Sequence, residues 1–226
     1  MEKAKGLNTL FLYIGTNKPK LRKMLKKSKK LLEAFAANPW KPLLYSELKK
    51  HTGSKSESYT YSTLERFVKQ GILEKEKKGN VSFYRIARSH KAISCLSMAA
   101  EHRAWAYNKK LAKIINRLLE QISSSFFSLL VVGSYAKGTQ KPESDLDVII
   151  IVPGDKKKAY SELSHYCEMS IPCIHLYAFS EDEFRQMLLS KEHNYGKEAV
   201  ENCLVFFGAQ SYYRILLEAG NYGLGY

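Results

Sequence analysis

The chain has 226 residues, 45% of them hydrophobic and 26% charged, with four cysteines and a formal net charge of +14. That is an ordinary globular composition with room for one large core or two modest ones, and no apolar run approaches the ~20 residues needed to cross a bilayer. Cys95, Cys167, Cys173 and Cys203 are too scattered for a disulfide framework or a paired-cysteine zinc site, and the N-terminus lacks the apolar stretch of a signal peptide, so the chain reads as a cytoplasmic protein with buried or incidental thiols.

The charge is unevenly spread. Residues 1–90 hold 21 Lys/Arg against 7 Asp/Glu, whereas residues 91–226 hold 15 of each. A basic half suggests contact with a polyanion; the alternative is a lysine-rich solvated surface that aids solubility.

Apolar spacing at Leu21, Leu25, Leu32 and Phe35 predicts a helix over 20–37, stopped at Asn38-Pro39 because a residue before proline is pushed out of the helical region. A short apolar stretch, Leu43-Leu44-Tyr45, comes next. Ser46 then stands where it would cap a helix through His51, and Thr52-Gly53-Ser54 supplies a turn. A further helix over 57–70 closes at Gly71. Ile72-Leu73 and Val81–Ile86 flank the charged segment 74–80 and read as a β-hairpin.

Helix, short strand, helix, helix, hairpin is the order of a winged helix-turn-helix domain, which residues 24–88 resemble. Leu64, Phe67 and Val68 would then face the core. Tyr59, Ser62, Arg66 and Lys69 would share the opposite face and reach a DNA groove, with Lys75, Lys77 and Lys78 on backbone phosphates. A protein–protein or dimerisation role is the other reading of such a module. Residues 91–121 lack Pro and Gly and carry an apolar stripe from Ile93 to Leu118, which predicts one long linking helix and leaves room for a homodimer.

The chemistry concentrates in FFSLLVVGSYAKGTQKPESDLDVIIIV, residues 126–152. An apolar strand ends at Gly133-Ser134, and a polar stretch leads to Asp145-Leu146-Asp147, which enters a second apolar strand. Side chains alternate along a strand, so Asp145 and Asp147 point the same way. Two adjacent carboxylates repel unless a cation lies between them, and hard oxygens suit Mg²⁺. Gly133 permits close backbone approach to a phosphate, Ser134 offers a hydroxyl and an N–H, Lys137 adds charge, and Gly138 lets the chain turn.

This segment resembles the signature of the polymerase-β nucleotidyltransferase superfamily, most closely the minimal and kanamycin nucleotidyltransferases. The resemblance implies a mixed-sheet fold with flanking helices and metal (Mg²⁺ or Mn²⁺) on Asp145 and Asp147. It also implies a nucleoside triphosphate substrate, ATP first among them, cradled by Gly133, Ser134, Lys137 and Gly138. Position 135 is often basic in the family but is tyrosine here.

The family adds a third carboxylate from a neighbouring strand. The candidate strand, SIPCIHLYAF at 170–179, contains no Asp or Glu; its alternation puts Cys173, His175 and Tyr177 on one face, with His175 near the expected acid. His175 is thus a candidate ligand or base, or simply a surface or core histidine. Glu168 precedes this strand. Glu181, Asp182 and Glu183 follow it and suit a helix start. Two amphipathic segments, 183–189 and 197–207, come next; Tyr195, Tyr212 and Tyr213 could stack on a base, but aromatics at helical spacing are more often core.

The expected architecture is α/β: a basic winged helix over 1–90, a linking helix over 91–122 and a nucleotidyltransferase domain over 123–226. The expected activity is transfer of a nucleoside monophosphate to a hydroxyl of a protein, a small molecule or a nucleic-acid end, with Asp145, Asp147 and His175 catalytic. The alternative is a DNA-binding transcriptional regulator whose transferase domain only senses nucleotide.

Overall fold

The computed structural model describes residues 28–221, except 38, 40, 54 and 55. The beginning of the helix expected over 20–37, its Asn38 stop and Ser54 of the following turn therefore lie outside the described residues.

The first described helix, α1, covers 28–33 and unwinds through turns in which Phe35 N–H donates to Leu32 O and Ala36 N–H to Glu33 O. Strand β1 (Leu43–Leu44) leads into α2 (Tyr45–Thr52). Ser46 lies inside the first turn of α2; Leu44 precedes the helix, and its N–H donates to the Glu47 carboxylate at 2.7 Å. Helix α3 (Glu57–Lys69) is capped by Ser56 and closes at Gly71, whose φ of 68° suits glycine.

Strands β2 (Leu73–Lys78) and β3 (Val81–Ile86) form an antiparallel hairpin, and β1 adds to β3, giving the order β1-β3-β2. The segment expected as a charged loop is mostly strand, with only Gly79-Asn80 in the turn. Cross-strand charge pairing explains this: Glu74 lies opposite Arg85, and Arg85 Nε reaches Glu74 Oε2 at 2.7 Å.

The long linking helix is two helices, α4 (His90–Tyr107) and α5 (Lys109–Leu119). Asn108 adopts an extended backbone between them, and its carboxamide oxygen accepts the N–H groups of Lys110 and Leu111 at 2.9 and 3.2 Å. An asparagine that can cap a new helix competes with continuing the old one.

The remaining elements are β4 (Ser128–Val131), α6 (Gly133–Lys137), β5 (Leu146–Val152), α7 (Lys156–Glu168), β6 (Ile174–Ser180), α8 (Glu181–Leu189), α9 (Tyr195–Glu201), β7 (Leu204–Phe207) and α10 (Ala209–Asn221). They build a mixed four-stranded sheet of order β6-β5-β4-β7, parallel between β5 and β6 and antiparallel elsewhere. The amphipathic segment expected over 197–207 divides into α9 and β7. The LVFF run of β7 pairs with β4 instead of continuing a helix.

Strand alternation sorts this sheet into two packed faces. Leu130, Val132, Ile149, Ile151 and Val205 join one core with α4, α8 and α10, and that core continues into Leu31, Phe35, Leu64 and Phe67 of the N-terminal elements. Leu129, Val131, Val148, Ile150 and Phe206 face α5 and α7 in a second core. Helix α4 also covers the β7 edge, where the Trp105 indole N–H donates to Phe206 O at 3.0 Å. Tyr212 and Tyr213 are fully buried, the latter donating to Ala36 O at 2.6 Å.

Among the described residues, no helix is long and apolar enough to cross a membrane.

Candidate active site

The carboxyl-terminal end of β4 and the amino-terminal ends of β5 and β6 meet at one end of the larger sheet. Leu146 is completely buried and anchors the start of β5, so its neighbours Asp145 and Asp147 project together from the opposite face. Val132 N–H donates to Asp147 O at 3.0 Å, which holds the following residue, Gly133, against the Asp147 side chain. A Cβ at Gly133 would stand 2.4 Å from Asp147 Oδ2, and φ there is 65°. The positive φ favours glycine at this position, and any side chain there would push the Asp147 carboxylate aside.

The short helix α6 carries Ser134 and Lys137 and ends at Gly138, with φ of 71°. The Gly138 and Thr139 N–H groups both turn back to Ser134 O. A side chain on Gly138 would meet the Tyr107 hydroxyl at 2.6 Å, so this glycine also admits the end of α4.

Parallel pairing of β5 with β6 sets His175 level with Asp147. The imidazole lies between the two carboxylates: Nε2 is 3.4 Å from Asp145 Oδ2, and Nδ1 is 3.7 Å from Asp147 Oδ1. Cys173 shares this face one step earlier. Its thiol was expected to be incidental, yet it is exposed and gathered with Asp145 and His175, whereas the Cys167 and Cys203 thiols are buried and pushed up to about 12 and about 11 by that burial. The alternation of β6 placed Cys173 and His175 together; what sequence spacing did not convey was that Asp145 lies across from them.

The acidic residues on either side of β6 belong to its flanking helices. Glu181, Asp182 and Glu183 form the first turn of α8, where Ser180 and Glu183 make a reciprocal cap. Glu168 ends α7.

A third carboxylate reaches the site from α9 instead. Glu198 Oε1 lies 3.6 Å from Lys137 Nζ. Burial holds the Asp147 carboxyl above the usual carboxylate range; the nearby His175 opposes this, and the negative charges of Glu198 and Asp145 raise it further. Sequence reasoning missed Glu198 because its helix lies on no recognisable motif and comes into place only through packing against α8.

The Tyr177 and Tyr195 rings lie 4.1 Å apart beside these acids. A hydrogen bond with Tyr195 raises the Tyr177 phenol well above its usual range, with burial adding to the effect.

In the N-terminal elements the residues expected to meet DNA are differently disposed. Ser62, Arg66 and Lys69 are exposed on α3, while Tyr59 is half-buried and shares the Ser28 hydroxyl with Arg66 at 3.2 and 3.0 Å. Lys75 is drawn onto Glu65 at 2.6 Å, between the rings of Tyr61 and Tyr84. Lys78 pairs with Glu76 at 3.2 Å, and Lys77 is exposed.

Residues 109–204 match the family model of the nucleotidyltransferase domain. The matched span runs from the start of α5 to the first residue of β7 and takes in both aspartates, Cys173, His175 and Glu198. The match supports the nucleotidyltransferase superfamily for this part of the chain. No curated protein and no solved structure matches the chain.

Proposed function

We propose that the chain is a metal-dependent nucleotidyltransferase that moves a nucleoside monophosphate from a nucleoside triphosphate, ATP first among them, to a hydroxyl acceptor. The observation that carries this reading is the pair Asp145 and Asp147, held side by side with Gly133 pressed against one of them and Glu198 nearby. Carboxylates gathered in this way fit a hard divalent cation, because each ionised neighbour makes the next harder to ionise until a cation joins them. Mg²⁺ or Mn²⁺ held by Asp145 and Asp147 would supply positive charge to the triphosphate oxygens.

The chain's own groups divide the rest of the work. Gly133 and Ser134 offer backbone and hydroxyl donors to the phosphates, Gly138 sets the turn beside them, and Lys137 adds a cation. Glu198 takes the acceptor's proton as the acceptor oxygen bonds to the α-phosphorus and the α–β phosphoanhydride bond breaks, releasing pyrophosphate. Tyr195, stacked on Tyr177, offers its outer face to the base.

The N-terminal elements are proposed to bind duplex DNA through Ser62, Arg66, Lys69 and the Lys77 side of the hairpin, as a winged helix does. A second reading rests on His175, which occupies the place in β6 where the family sets an acid. It favours a DNA-binding regulator that senses nucleotide without turnover.

The test is transfer of label from α-labelled triphosphates into the protein, nucleic acid and small molecules of a cell lysate. Label that appears with wild type and disappears with Asp145→Ala/Asp147→Ala supports the transferase. Binding of Mg²⁺·ATP without any labelled product supports the sensor. A cytoplasmic setting accords with either.

A further inference from the structure

Two strands contribute to the site, and they contribute different chemistry. Strand β5 brings hard carboxylates; the start of β6 brings a thiol and an imidazole. Leu146 N–H donates to Cys173 O at 2.9 Å, and Leu146 pairs with Ile174, which sets Cys173 beside Asp145 and His175 beside Asp147. Ile174 is buried between Cys173 and His175, so both of these side chains are left on the same exposed side as the aspartates.

We propose that Cys173 Sγ, His175 Nε2 and Asp145 Oδ2 form a binding site for a thiophilic divalent cation, Zn²⁺ foremost. One ligand atom from each residue lies within 4.8 Å of the other two. Tetrahedral zinc with bonds of about 2.0–2.1 Å to nitrogen and oxygen holds those two atoms about 3.4 Å apart. The observed Nε2–Oδ2 separation is 3.4 Å. Closing the set around an ion therefore asks mainly for a rotation of the exposed cysteine.

The other imidazole nitrogen supports the same assignment. Nδ1 faces Asp147 Oδ1 at 3.7 Å, so a ring that ligates through Nε2 would carry its proton on Nδ1, toward that carboxylate. A carboxylate behind the ligating histidine is the usual way such a ring is oriented. The thiolate sets the preference: a site of sulfur, nitrogen and one oxygen favours zinc over magnesium. Three protein ligands leave a fourth position open to water.

Zinc at this site would withdraw Asp145 from the nucleotide's metal and so slow transfer; that consequence, unlike the binding, rests on the transferase reading.

The experiment is titration of the reduced full-length chain with Zn²⁺ by calorimetry and with Co²⁺ by absorption, in buffer containing Mg²⁺ and no nucleotide. The expected result is one zinc ion per chain and a thiolate-to-cobalt charge-transfer band. Cys173→Ser should abolish the band and weaken zinc by at least about tenfold. His175→Ala should weaken zinc similarly, and Cys95→Ser should change neither. Circular dichroism of each variant confirms that it is folded. Absence of zinc binding by the wild type, or a band that survives Cys173→Ser, overturns the proposal. Because no nucleotide is present, a chain that binds zinc but transfers no label would remove the transferase reading alone. One that transfers label but ignores zinc would remove only this inference.

Discussion

The β5–β6 site and the β2–β3 hairpin are both rich in charge, but they arrange it in opposite ways. In the hairpin, opposite charges neutralise one another: Lys75 with Glu65, Lys78 with Glu76 and Arg85 with Glu74. Such partly exposed pairs are each worth at most about 1 kcal/mol and need no functional explanation. At the site, Asp145, Asp147 and Glu198 are brought near one another, with Asp147 partly removed from water. Like charges held together oppose folding, so their presence points to a task that offsets the cost. A count of charged residues ranks the N-terminal half first; their pairing ranks the site first.

The sharpest way to break this comparison is to empty the site of its carboxylates. Asp145→Ala/Asp147→Ala should lower transfer by at least about 10³-fold, since several kcal/mol of charge stabilisation are lost, while leaving the folded content unchanged by circular dichroism. Transfer that persists would assign the aspartates to structure. Next in size, Glu198→Gln should lower kcat by about 10²-fold, because the glutamine cannot take the acceptor's proton. A loss confined to KM would instead tie Glu198 to Lys137 and substrate binding.

A stability measurement sharpens the same contrast. The Asp147 carboxyl is raised in the folded state, so the fold holds that proton more tightly than the unfolded chain does. The destabilisation is thus fully present above the raised value and vanishes as pH falls below the ordinary carboxylate range of about 4. Asp147→Asn should therefore raise Tm at pH 7 in the presence of a chelator, with the gain shrinking as the pH is lowered to about 3. An equal gain at both pH values would mean that the asparagine acts through packing.

The smallest effect is expected at the hairpin. Lys77→Ala should reduce the slope of duplex affinity against salt by about one unit, as loss of one phosphate contact does. Lys75→Ala should change it less, because Lys75 is already committed to Glu65. Equal effects would show that DNA draws Lys75 away from that pair.

The legible parts of the site were those set by local spacing. Asp145 and Asp147 followed from a two-residue period, and so did the common face of Cys173 and His175. Glu198 and β7 were not legible, for different reasons. Glu198 comes beside Lys137 and Asp147 through packing of α9 against α8, which no local pattern encodes. The four apolar residues of β7 fit a strand or a buried helix turn equally well, and only pairing with β4 decides between them. Asn108 shows the reverse failure: the apolar stripe ran on across it, but one side-chain cap was enough to divide the helix.

The span that matches the nucleotidyltransferase domain is shorter than the unit that packs around it. It begins after α4 and ends before most of β7. Helix α4 supplies the indole that seals the β7 edge, and Glu101 accepts the first N–H of α10 at 2.9 Å. Helices α4 and α10 cover Leu130, Ile149 and Val205, side chains that a fragment of residues 109–204 would expose or lose. Such a fragment would keep its acidic and thiol side chains but not the wall behind them. The smallest unit that keeps this site backed by its own core is therefore larger than the matched span and takes in both flanks.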